Sequence, residues 1–329
     1  MNHWDRMRAA MKGEPVDRPP VCLWRHWPPE DHEADSLAEV IIHWQKEYDC
    51  DLVKHAPAGS YPVEDWGGQT AYEPSQDLEV GVRTFLRRPV TDAAKWPELE
   101  QLDVTRGHLG EQLRAVRLVA EALAGTVPIM QTVFSPLNVA QKLAGPRAWD
   151  DMRSEPRLFK QGLQILAETT ARFAVESLRA GAHGFFFSLP CDARLFSEAE
   201  YREFGEPFER IILDAVRPDA FIIMVSVMAQ EPMIDLLAGY PLDALSWTDR
   251  ATGPSLSEAG RRFGGLRMAG LDVQRLFHGP SAAIAAEVHD AVAQTGSRRL
   301  LVGTGGAPWI RTPPEHFRAA RQAVEELAA

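Results

Sequence analysis

Cysteine is scarce in this chain: Cys22, Cys50 and Cys191 are the three in 329 residues. They share no close spacing and sit in or beside apolar segments, which argues against a disulfide framework and predicts buried thiols. Long apolar runs are missing as well, since nowhere do about 18 uncharged hydrophobic residues follow one another, the length a membrane-crossing helix requires. The start, Met1-Asn2-His3-Trp4-Asp5-Arg6, has neither the basic region nor the apolar stretch of a secretory signal. A soluble cytoplasmic protein with no membrane partner is expected. Positive charge is also in deficit: 35 Lys and Arg face 46 Asp and Glu, a formal net charge of -11. With no local basic cluster to offset this, nucleic acid is excluded as a partner, and any anionic substrate has to be held by a few placed cations.

What is present is an alternation. Short runs rich in Val, Ile, Phe and Met recur between longer segments with helical spacing, the signature of βα units around a parallel sheet. Strands are expected at 21–25, 52–55, 129–134, 184–188, 221–227, 244–247, 266–270 and 300–303. Helices are expected at 38–48, 109–124, 155–180, 198–216, 233–238, 255–263, 281–295 and 314–327. Eight such strands predict a single-domain (β/α)8 TIM-type barrel spanning 1–329. Segment 56–101 carries Gly59, Gly67, Gly68, Pro74 and Pro89 and reads as an insertion after strand two that holds a small hairpin. Segments 91–101 and 147–156 read as connectors.

Barrel chemistry sits where strands run into loops at the C-terminal face. That rule selects Arg25, His26, Lys54, His55, Gln131, Ser188, Ser226, Trp247, Asp249, Arg250, Gly306 and Trp309, with Tyr61 added from the insertion. Arg25 can clamp a carboxylate through two parallel hydrogen bonds, or be tied to an acidic loop residue such as Glu64 or Asp65. His55 can transfer protons at neutral pH and Lys54 adds charge, yet neighbours on a strand face opposite ways, so at most one of the two enters the barrel cleanly. Asp249 can serve as acid or base, or merely pair with Arg250. The remaining histidines, His32 and His108 among them, fall on helices or connectors and show no metal-like spacing, so no metal is expected.

Several segments together resemble the uroporphyrinogen decarboxylase superfamily. These are Arg6-Met7-Arg8 leading into Gly13-Glu14-Pro15-Val16-Asp17-Arg18-Pro19-Pro20, then Tyr48-Asp49-Cys50-Asp51-Leu52-Val53-Lys54, and Phe134-Ser135-Pro136-Leu137 with Lys142-Leu143-Ala144-Gly145. Ala180-Gly181-Ala182-His183-Gly184 and Thr312-Pro313-Pro314-Glu315-His316 complete the set. The resemblance implies a barrel enzyme, a homodimer, and either tetrapyrrole decarboxylation without a cofactor or methyl transfer involving corrinoids and thiols. Its methyltransferases hold zinc with a His-x-Cys pair after strand five and a Cys in a Gly-Gly-Cys turn after strand eight; here those positions read Ser226-Val227-Met228 and Gly305-Gly306-Ala307. Its decarboxylases carry Arg-Gln-Ala-Gly-Arg after strand one, of which this chain keeps Arg25 but has Pro29 for the second arginine. The expected function is a metal-independent, cofactor-free decarboxylase-like carbon-carbon lyase acting on a carboxylate-bearing substrate, tetrapyrroles included, with Arg25, His55 and Asp249 as catalytic residues. The alternatives are a zinc-less methyltransferase of the corrinoid branch, with a corrinoid as co-substrate, and a non-catalytic barrel that binds a small ligand or a partner.

Overall fold

The structure, a computed structural model, describes residues 1–74 and 80–328. Its strands are β1 (Val21–Cys22), β2 (Val53–His55), β3 (Gln69–Ala71), β4 (Thr84–Arg87), β5 (Ile129–Phe134), β6 (Gly184–Leu189), β7 (Ile222–Val227), β8 (Ala244–Trp247), β9 (Leu266–Leu271) and β10 (Leu300–Thr304). Eight of them form one sheet in the order β1-β10-β9-β8-β7-β6-β5-β2, every pair parallel. This is the (β/α)8 barrel expected, with its eight strands at the predicted places. The insertion after β2 holds a short helix, Tyr61–Glu64, and the antiparallel hairpin β3-β4. Residues 75–79 of the insertion lie outside the described residues.

Side chains alternate along each strand, so one face fills the barrel and the other meets the helices. Cys22, Trp24, Met130, Phe186, Met224, Ala244, Met268 and Leu301 belong to the cluster that fills the barrel. Val21, Leu23, Val133, Phe187, Val225, Leu245, Ala269 and Val302 join the cluster beneath the helices. All three cysteines are free and buried. No described helix is long and apolar enough to cross a membrane.

The sheet's ladder has a break between β1 and β2, which share no register pairing. Asp51 fills it. Its carboxylate accepts from the Val21 amide at 2.9 Å, from Arg18 at 2.6 Å, from Arg6 at 2.5 Å and pairs with His3 at 2.9 Å, while its own amide donates to the Val21 carbonyl at 2.8 Å. Asp17 holds Arg6 from the other side at 2.7 Å. The basic helix, the Asp-Arg-Pro-Pro turn and the approach to β2, all singled out by the sequence, therefore form one polar clasp across the seam.

Three local expectations change. The helix expected over 198–216 is two helices, Glu198–Phe204 and Glu206–Val216, because Gly205 and Pro207 interrupt the ladder of backbone bonds. Residues 136–144, outside the expected helices, form the helix Pro136–Ala144, started by the Ser135 hydroxyl capping the Asn138 amide. The connector before Pro156 contains the helix Ala148–Ser154, whose short, mostly polar sequence has no apolar stripe to reveal it.

Candidate active site

Strand phase decides which predicted residues reach the mouth. Past β1 the chain keeps Trp24 inward with Cys22, and His26 packs against Trp24 whereas Arg25 does not. Arg25 instead faces the helices: it donates to the Ile310 carbonyl and lies 5.7 Å from the Trp44 ring, in a groove of about 400 Å³ that Tyr48, Pro314 and Arg318 also line. The expectation that Arg25 clamps substrate in the barrel is corrected on this point. Arg25→Ala should lower thermal stability through the lost contact while leaving turnover within about twofold, which paired melting and rate measurements check.

The second strand divides in the same way. Lys54 enters the barrel, only 4% exposed, with its amine 3.4 Å from the centre of the Trp24 ring and 4.4 Å from that of Phe186. His55 turns outward beneath the helix Gly107–Leu123, near Gln112, and burial holds its pKa down at about 3. A proton-transfer role for His55 at the mouth is thereby corrected. The Lys54 amine has no anionic partner or hydrogen-bond acceptor among the described residues, and burial pushes its pKa down to about 7.

The inward faces of β6, β7 and β8 present hydroxyls. Ser188 pairs in register with Ser226, and Ser226 with Ser246, so three serines stand side by side on β6, β7 and β8, in phase with the inward Phe186, Met224 and Ala244. Asn138 donates to the Ser188 carbonyl at 2.8 Å and to its hydroxyl at 3.3 Å. The Ser226 and Ser246 hydroxyls and the Trp24 indole N–H are buried without a partner among the described residues.

His26 closes the mouth on the β1 side. Its ring stands edge-on to Trp24 at 5.5 Å, and its Nδ1 lies 3.6 Å from Asp31, whose two carboxylate oxygens are fully buried with no hydrogen bond. Burial holds the His26 pKa down, and the charges of Lys54 and Lys142 reinforce this while Asp31 opposes it. Lys142 sits on the helix after β5, 4.5 Å from the Phe134 ring, with its pKa pushed down to about 8 by burial and by nearby Arg88.

The other candidates do not join this group. Trp247 faces the helices and donates to the Pro254 carbonyl at 2.7 Å; Gln131 faces them too, near Tyr61, whose hydroxyl donates to the Thr132 carbonyl at 2.8 Å. Asp249 accepts from the Gly270 amide at 3.1 Å. Arg250 clamps the Gly270 carbonyl, Asp290 and the Glu287 carbonyl, tying the rim to the helix Ser281–Thr295. A catalytic role for Asp249 and a substrate-holding role for Arg250 are both replaced by rim closure. Gly305 is required because a Cβ there would lie 1.6 Å from the Trp247 carbonyl, and Gly306 packs on Thr248. Trp309 stacks edge-on against Phe277 at 4.9 Å.

Four predicted residues, His26, Lys54, Ser188 and Ser226, thus lie on the barrel's inward side. Trp24, Asp31, Lys142 and Ser246 were missed. Ser246 and Trp24 were open to discovery, because both fall in phase with inward neighbours on their strands; Asp31 and Lys142 come from a loop and a helix with no local signal.

Residues 2–327 match the sequence model of the family described as uroporphyrinogen decarboxylase (URO-D). The chain belongs to that family. Among its relatives is the uroporphyrinogen decarboxylase of Xanthomonas axonopodis pv. citri, 27% identical with 98% of each chain covered. Another is the methylcobamide:CoM methyltransferase of Methanosarcina barkeri, 24% identical over 54% of this chain and 55% of that one. The chain covers 55%, 66% and 62% of the three methyltransferase relatives it matches. A solved methyltransferase from Methanosarcina mazei shares the fold over 100% of both chains at a TM-score of 0.86 and 19% identity. A B12-independent methionine synthase from Shewanella shares it at 0.58 and 15%, over 95% of each.

The zinc site that the methyltransferase branch implies does not fit these residues. At the corresponding positions stand the Ser226 hydroxyl, Met228 with 60% of its surface exposed, and Ala307, which has no ligand atom. A hydroxyl and a thioether cannot replace imidazole and thiolate around Zn²⁺.

Proposed function

We propose that this uroporphyrinogen decarboxylase family member is a carbon-carbon lyase that releases CO₂ from a carboxylate-bearing substrate, using Lys54 as its central cation. The observation that carries the reading is a buried amine without a counter-ion among the described residues, beside the Trp24 indole in a barrel whose inward faces carry further buried hydroxyls that also lack partners there. Buried polar groups are almost always paired, so a cluster of unpaired ones is a place prepared for a ligand. A substrate carboxylate and its neighbouring electron-poor group would satisfy them.

In this reading the bond between the carboxyl carbon and its neighbour breaks, CO₂ leaves, and the electron pair moves into the electron-poor part of the substrate. The Lys54 ammonium, screened from water by Trp24 and Phe186, stabilises the charge that develops there. The carbon must then take a proton, and an amine whose pKa lies near 7 gives one up readily at neutral pH. His26, held neutral by burial, and Asp31 behind it orient the substrate from the β1 side. The near-full-length likeness to decarboxylases supports this reading, and the positions that hold zinc in the methyltransferase branch carry no imidazole or thiolate here.

The test is CO₂ release from a panel of porphyrinogen carboxylates and smaller keto acids, run beside a spectral titration with methylcobalamin. CO₂ release that disappears in Lys54→Met and survives in Arg25→Ala is expected. A demethylation of methylcobalamin with no CO₂ from any substrate would sink the proposal.

A further inference from the structure

Three side chains from separate parts of the chain converge on the rim. His32 lies in the loop after β1, Glu64 ends the short helix after β2, and His108 opens the helix Gly107–Leu123. The His32 Nε2 is 2.8 Å and the His108 Nδ1 3.0 Å from the same Glu64 oxygen, and the three donor atoms lie within 4.8 Å of one another. We infer that these residues bind a divalent first-row transition metal, Zn²⁺ foremost, through two imidazoles and one carboxylate.

The donor set is chemically apt. Two neutral imidazoles with one carboxylate suit Zn²⁺, and three protein ligands with a fourth position open are the pattern of reactive rather than closed zinc sites. Around a tetrahedral zinc, ligand atoms stand about 3.3 Å apart, so the nitrogen-to-oxygen distances need only a small expansion to admit the ion. The side of the cluster away from the protein is open: His32 is 23% and His108 40% exposed, while Glu64 is 5% exposed.

The surroundings hold the ligands in place. The second Glu64 oxygen accepts from the Thr70 hydroxyl at 2.7 Å, which in turn takes the Arg83 Nε at 3.0 Å, so the hairpin β3-β4 buttresses the carboxylate. Asp65 accepts from the His108 and Leu109 amides, both at 2.9 Å, fixing the first turn that carries His108. Gly107, at a φ of +59°, is where a Cβ would lie 2.2 Å from the Asp65 carboxylate, so the turn that presents His108 depends on glycine. Such outer partners are what metal ligands require to keep their aim. The bound ion would pin the insertion to the β1 loop and leave one coordination position facing solvent.

The experiment uses the full chain, stripped with a chelator and then dialysed against Zn²⁺ or Co²⁺. One retained ion per chain is expected, with Co²⁺ giving visible ligand-field bands and no thiolate charge-transfer absorption. His108→Ala should weaken retention at least tenfold, and His32→Ala/His108→Ala should abolish it, with the metal-free variants melting close to the metal-free parent. Failure of the parent chain to retain either ion would overturn the inference and leave the cluster an ion pair. Undiminished retention in the double variant would overturn it as well, by placing the ion elsewhere.

Discussion

Asp51→Ala is expected to lower the stability of the chain by about 3–5 kcal/mol, the usual result of removing one partner from a buried ionic cluster. Asp51 is fully buried and faces Arg6 and Arg18, which are 5% and 7% exposed. The alanine variant leaves Arg18 without its anionic partner, the Val21 amide without its acceptor and Arg6 with Asp17 as its remaining carboxylate. Asp51→Asn keeps an acceptor and should recover part of the loss. Hydrogen bonds from His3 and Arg18 and the charges of Arg18 and Arg6 overcome burial and hold the Asp51 carboxyl down at about 2, below its ordinary 3.8. The unfolded chain therefore binds its proton first as pH falls, so this stabilisation is complete above about pH 4 and drains away towards pH 2. Urea unfolding of parent and variant at pH 6 and pH 3 checks both points: the gap between them should narrow in acid, and an unchanged gap would refute the linkage.

The second large effect belongs to Lys54. Lys54→Met should abolish CO₂ release yet raise stability at neutral pH by about 4 kcal/mol, because it replaces a buried, unpartnered amine with an apolar chain of similar length. The sign follows from the pKa, which burial brings from 10.5 to about 7. Between those values the unfolded chain holds a proton that the folded chain has lost, so the parent gains stability as pH rises through that window. Methionine removes the slope. For activity, kcat/KM of the parent should fall above pH 7 as the cation is lost, and in Lys54→Arg any residual activity should persist to higher pH. Melting curves and rate profiles between pH 6 and pH 10 separate the two consequences; a parent profile flat across that range would exclude Lys54 as the working cation.

How far the sequence alone reaches can be judged at particular residues. Each barrel strand could be placed because two periods, two along strands and about 3.6 along helices, are written into the order of apolar residues. The motifs that mark the family proved to be structural: Arg6, Asp17, Arg18 and Asp51 close the seam. Their pattern names the fold, and for that reason carries little about the reaction. The site was half legible. Lys54, His26, Ser188 and Ser226 follow from the rule that chemistry gathers at strand ends, but Arg25 and His55 followed from it equally well. Separating them requires the phase of each strand, which Cys22 and Trp24 establish only once their inward direction is known. The His32, Glu64 and His108 cluster had no local signature at all, since its members meet through tertiary folding.

The break between β1 and β2 bears on how this molecule moves. A fully laddered barrel resists deformation equally around its circumference, whereas here one arc is bridged by side chains and by a single backbone contact from Asp51 to Val21. That arc carries Trp24, His26 and Lys54. Widening the wall beside the lysine to admit a substrate therefore requires no strand-to-strand ladder to be unzipped.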